Sequence, residues 1–152
     1  MSADDLMHAL SPILSHLEDH TPPADAEAAA TLKHELDARF PIAGETMQAL
    51  RELVRRGVQE GWLAPRENDG IRFGRVHKAE SPERYGIECV HMDKAGPGHT
   101  HPTGEIDLCF AVSGEPRFDG NAEGWTVYQS PGPKIKGVTS ATNADFHYYS
   151  WV

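Results

Sequence analysis

Two cysteines in 152 residues, Cys89 and Cys109, are too few for a disulfide framework or a zinc knuckle. Both fall in predicted strands, where a free thiol behaves as a small buried apolar group, and a reducing cytoplasm is the expected compartment. No run approaches the roughly 20 apolar residues of a membrane span. The opening MSADDLMHAL lacks the basic-then-apolar layout of a secretory leader. Positive charge is scarce. Fourteen Lys and Arg face 23 Asp and Glu, a net charge of −9, and no basic stripe is present to neutralise phosphates. Nucleic acid and anionic membranes are therefore not expected partners. A dinucleotide fingerprint of the G-x-G-x-x-G type is missing, and so is any internal repeat.

What is present divides into two textures. Residues 3–20 place Leu6, Leu10, Ile13, Leu14 and Leu17 three and four apart, one face of an amphipathic helix that Pro12 kinks or restarts. A second helix is expected from Asp25 to Arg39, rich in Ala, Glu and Leu and closed by Pro41. A third runs from Gly44 to Glu60, with Met47, Leu50, Leu53, Val54 and Val58 on one side and Gly61 as its C-cap. These stripes require a docking surface, either the following domain or a second subunit. After Trp62 come short alternating stretches at 71–77, 85–92, 105–112, 125–129 and 145–152, divided by Gly and Pro. The predicted class is α+β: helices over residues 1–62, then a small all-β barrel or sandwich over 63–152.

The chemistry concentrates between residues 95 and 120. His99, His101 and Glu105 form H-x-H-x3-E, and two imidazoles with a carboxylate suit a divalent first-row metal such as Zn, Fe, Mn or Ni. In the following strand Ile106, Leu108, Phe110 and Val112 alternate with Glu105, Asp107, Cys109 and Ala111. Two carboxylates and a thiol on one face imply a lined cavity, with the apolar face packed on another layer. Asp107 has no comfortable place in an apolar strand without a partner.

G-x-H-x-H followed by Glu resembles the first motif of the cupins, metal-binding β-barrels with two His and one Glu as ligands. That resemblance implies a cupin-like barrel. Glu105 has the expected spacing from the His pair, whereas Asp107 has the expected spacing to Gly114, so either can be the third ligand. The cupin fourth ligand is a His after P-x-G, but Pro131-Gly132-Pro133-Lys134-Ile135 contains none. Either three ligands suffice, or His147 supplies the fourth, or no metal binds.

A longer likeness covers most of residues 70–130. G-I-R-F-G-R-V-x-K, then G-P-G-H-T-H-P-x-G-E-I-D-L-C-F-A, then G-x-P-R-F-D-G resemble the 4-hydroxylaminobenzoate lyase family. The resemblance implies a lyase or aminohydrolase that turns a hydroxylamino-aromatic acid into protocatechuate and ammonia. Glu105 or Asp107 would then move protons, and Arg117 would hold the substrate carboxylate through its planar fork. Tyr128, Trp125 and His147 either pack the barrel or line the substrate pocket. Competing expectations are a metal-dependent cupin oxygenase of another aromatic compound and a non-catalytic small-molecule-binding cupin. Cupins commonly pair through strand edges, so a homodimer is expected.

Overall fold

The computed structural model describes residues 2–18, 23–77, 86–92, 99–100, 105–112, 114–115, 117–118, 120–129, 134–135 and 145–149, with residues 18, 99–100, 134–135 and 145–149 described by their backbone alone. Three helices open the chain: α1 (Ala3–Glu18), α2 (Ala26–Arg39) and α3 (Glu45–Glu60). Pro12 lies inside α1 without ending it. Proline has no N–H for the carbonyl four residues back, which belongs to His8, and the Ser11 hydroxyl donates to that oxygen instead at 2.7 Å. The carboxylate of Asp25 caps α2 by accepting from the Ala28 N–H at 2.8 Å. Gly61 closes α3 in the left-handed region, at φ 87°.

The strands are β1 (Arg66–Asn68), β2 (Ile71–His77), β3 (Ile87–Met92), β4 (His99–Thr100), β5 (Glu105–Ala111), β6 (Gly124–Tyr128), β7 (Lys134–Ile135) and β8 (Asp145–Tyr149). Six form one antiparallel sheet in the order β1-β2-β3-β8-β5-β6, and β4 pairs with β7 as a separate ribbon. Among the described residues no pairing joins β1 to β6, so a closed barrel is not seen among them. The architecture is α+β. The hairpin β1–β2 was absent from the sequence expectation, although Asp69-Gly70 carries its signal: both residues have positive φ, as a two-residue turn of the primed type requires.

One face of the sheet receives the helices. Leu6, Leu10, Ile13 and Leu17 of α1, Leu32 and Leu36 of α2, and Met47, Leu50, Val54 and Val58 of α3 pack with Ile87, Cys89, Ile106, Leu108, Phe110 and Trp125 in a single core. The docking surface that the helical stripes require is thus the chain's own sheet. Two arginines tie α3 to it. Arg51 lies 5.3 Å from the Phe110 ring centre and donates to the Ala111 carbonyl at 2.6 Å. Arg72 donates to the Ala64 and Val58 carbonyls at the far end of α3. His16, in the last turn of α1, is half-buried beside Glu35, 2.9 Å away, and edge-on to Phe40. Leu36 has no exposed surface. Leu36→Ala should therefore lower unfolding free energy by about 2–5 kcal/mol, and a urea midpoint indistinguishable from wild type would refute this packing.

Candidate functional site

Strand alternation divides β5 between two environments. Ile106, Leu108 and Phe110 enter the helix-facing core, whereas Cys109 packs on the other side with Val90, Met92, Phe118 and Tyr128. Glu105 and Asp107 share the parity of Cys109 and therefore its face. Across the ladder, Glu105 lies opposite Tyr128 and Asp107 opposite Thr126. All four are buried, and Asp107 has no exposed surface.

Two carboxyls buried side by side cannot both ionise cheaply. Burial is the main cause that pushes Glu105 up to about 8; the nearby charge of Glu88 adds to the rise and a hydrogen bond with Asp107 opposes it. Asp107 is raised well above the ordinary range, first by burial and then by the charge and hydrogen bond of Glu105. Apart from Glu105, neither Asp107 oxygen meets a hydrogen-bond partner among the described residues. A carboxyl pair in this state holds a proton at neutral pH, or else calls for a cation.

The other expected site residues divide. Tyr128 joins the carboxylate face. Trp125 does not: it lies opposite Leu108, its indole N–H donates to the Phe40 carbonyl at 3.0 Å, and its ring packs against Phe40 in the helix-facing core. Positions 125 and 128 are three apart on one strand, so they point to opposite faces and cannot both meet a ligand. Trp125 is a core residue. Arg117 is exposed, beside Phe118, which is buried against the carboxylate face. His99 lies on β4, opposite Ile135 of β7, and His147 lies opposite Val90 of β3; both are placed by backbone only. His101 lies outside the described residues. Among the described residues no three His, Cys, Asp or Glu side chains cluster as a metal site.

Thr126 and Glu88 were not singled out in the sequence. Thr126 becomes visible only when β5 and β6 are paired, since pairing sets it opposite Asp107. Both cysteines are free and buried as expected, and burial pushes the Cys89 thiol up to about 12, which makes it inert on the helix side. Among the described residues no helix is long and apolar enough to cross a membrane.

Residues 9–146 match the family PnbB, 4-hydroxylaminobenzoate lyase, a span that takes in all of β5 and β6. The chain belongs to the 4-hydroxylaminobenzoate lyase family. A curated relative, 4-hydroxylaminobenzoate lyase of Nocardioides sp. (strain LMS-CY), is 33% identical over 111 residues. That stretch is 68% of this chain and 62% of the relative, so the match spans about three-fifths of the relative's length. Within the 4-hydroxylaminobenzoate lyase family match lie Glu105, Asp107, Thr126 and Tyr128, the four residues that the ladder brings onto one buried face.

Proposed function

We propose that this chain is a 4-hydroxylaminobenzoate lyase, converting 4-hydroxylaminobenzoate and one water into protocatechuate and ammonia. The observation that carries this reading is the Glu105–Asp107 pair, two carboxyls buried side by side within the matched family span, where burial raises their hold on a proton. The net change balances without an external oxidant or reductant: the N–O bond breaks, the ring gains hydroxyls and ammonia leaves. Breaking an N–O bond needs a proton on the departing oxygen. Adding water to the ring releases one. Asp107 of this pair can deliver the first and recover the second, so it returns to its starting state each cycle.

The pocket is assigned to the carboxylate face of a cupin-type barrel. A divalent ion fits the donors available, since His99, His101 and Glu105 offer two imidazoles and a carboxylate. Asp107, buried and short of hydrogen-bond partners, supports a need for positive charge or a proton there. When bound, such an ion would supply Lewis-acid activation of oxygen near neutral pH. Glu105 retains slight exposure and Asp107 none, which supports Glu105 as the ligand and Asp107 as the proton store. Tyr128, across the ladder from Glu105, is proposed to line the pocket; His147 is a further lining residue. A guanidinium meets the substrate carboxylate: Arg117 is the choice from sequence, and β2 supplies a second.

Purified protein incubated with 4-hydroxylaminobenzoate should release protocatechuate and ammonia in equal amounts, under argon as well as in air. Ammonia release that requires O2, or stoichiometric binding without turnover, would defeat the proposal.

A further inference from the structure

The face that carries Glu105 and Asp107 continues over β3 onto β2. Register fixes this: Phe73 lies opposite Val90 and Arg75 opposite Glu88, and Val90 packs with Cys109 and Tyr128. Arg72 and Gly74 take the other parity, and Gly74 lies opposite Cys89 of the helix-side core. Phe73 is 36% exposed, one of two exposed large apolar side chains among the described residues. The Arg75 side chain is 60% exposed and reaches Glu88 through one guanidinium nitrogen at 3.5 Å. A contact that long, that exposed and from one prong holds the side chain weakly. Arg51 and Arg72 differ, since each is committed to backbone carbonyls, and Arg66 stands one strand further out, on β1 opposite Phe73.

An exposed aromatic ring and an underused planar cation, two residues apart on one strand, therefore sit on the same sheet face as the buried acid pair. Both are matched to an aryl carboxylate, the ring by its apolar surface and the guanidinium by bidentate geometry. The span agrees. In the order β2-β3-β8-β5 three strand spacings separate Arg75 from the acid pair, which is about 14 Å. An extended arginine side chain and a para-substituted benzoate bridge that distance together.

We propose that Phe73 and Arg75 form the subsite for the acid end of the substrate: Arg75 turns from Glu88 to the carboxylate, Phe73 flanks the ring, and the para substituent falls at Glu105 and Asp107. This rests on the reading of the face as a site for an aromatic acid. Glu88, itself partly exposed, is left to water when Arg75 turns.

Arg75→Met should raise KM for 4-hydroxylaminobenzoate by about tenfold to a hundredfold, the scale of a lost charge-assisted hydrogen bond, with little change in kcat. On phenylhydroxylamine, which lacks the carboxylate, the variant should match wild type. Calorimetry with 4-hydroxybenzoate, an inert aryl carboxylate, should show the same loss of affinity. An unchanged KM in Arg75→Met, an equal rise on phenylhydroxylamine, or a rise found instead in Arg117→Met would overturn the subsite. Binding of 4-hydroxybenzoate that depends on Arg75, in a protein that releases no ammonia, would support the subsite and sink the lyase reading. Neither binding nor turnover in wild type would sink both.

Discussion

His99→Ala combined with His101→Ala should reduce ammonia release from 4-hydroxylaminobenzoate to less than about 1% of wild type, because the activation of oxygen assigned to a bound ion is worth several kcal/mol. Elemental analysis of the purified variant should show the metal-to-chain ratio falling with the rate. The two readouts separate the possible roles. Full activity in the double variant removes both imidazoles from the reaction, and lost activity with unchanged metal content moves the ion elsewhere. β4 sets His99 opposite Ile135 of β7, 36 residues further along the sequence.

The second large effect is expected at Asp107. Asp107→Asn keeps the shape of the side chain and removes its titratable proton, so kcat should fall by about 10²–10⁴. Stability should respond in its own way. In metal-free protein the folded state keeps a proton on Glu105 up to about 8, whereas the unfolded chain releases it near 4.5. Between those values the folded state binds more protons, so stability is full at low pH and declines as pH rises, by up to roughly 1.4 kcal/mol per unit for each such group. Asp107, raised for the same reason, adds to the slope. Asn at 107 removes that contribution and relieves Glu105 of a charged neighbour. The variant should therefore lose less stability than wild type between pH 5 and pH 8, as read from urea midpoints. Equal slopes in the two proteins would mean that the carboxyls do not share a buried environment.

The helices were legible in the sequence because each carries its own punctuation. Asp25 caps α2, Gly61 ends α3, and the apolar spacing of α1 extends through Pro12 because Ser11 satisfies the carbonyl that proline leaves open. Strands β2, β3, β5, β6 and β8 emerged from alternation to within two residues at most starts. The ends were less legible, since fraying and long-range pairing rather than local sequence decide them. β4 and β7 were missed because two-residue strands exist only through each other. At the site, alternation along β5 puts Glu105 and Asp107 on one face, while residue type leaves Trp125 open between packing and pocket lining. Its position opposite Leu108 follows from the β5–β6 register, which no single strand contains. The same holds for Phe73, Arg75 and Glu88: each looks like an ordinary strand residue until three strands are laid side by side.

Strand β5 serves two masters, with Ile106, Leu108 and Phe110 under the helices and Glu105, Asp107 and Cys109 on the other side. Its reading frame is consequently locked from both directions. A slip of one position would drive two carboxyls beneath the helices and turn a phenylalanine and a leucine toward the pocket, exchanging chemistry and core in one movement. Point changes on either face can be compensated locally, but an added or deleted residue within this strand cannot. Length, more than composition, is what descent can least afford to alter here.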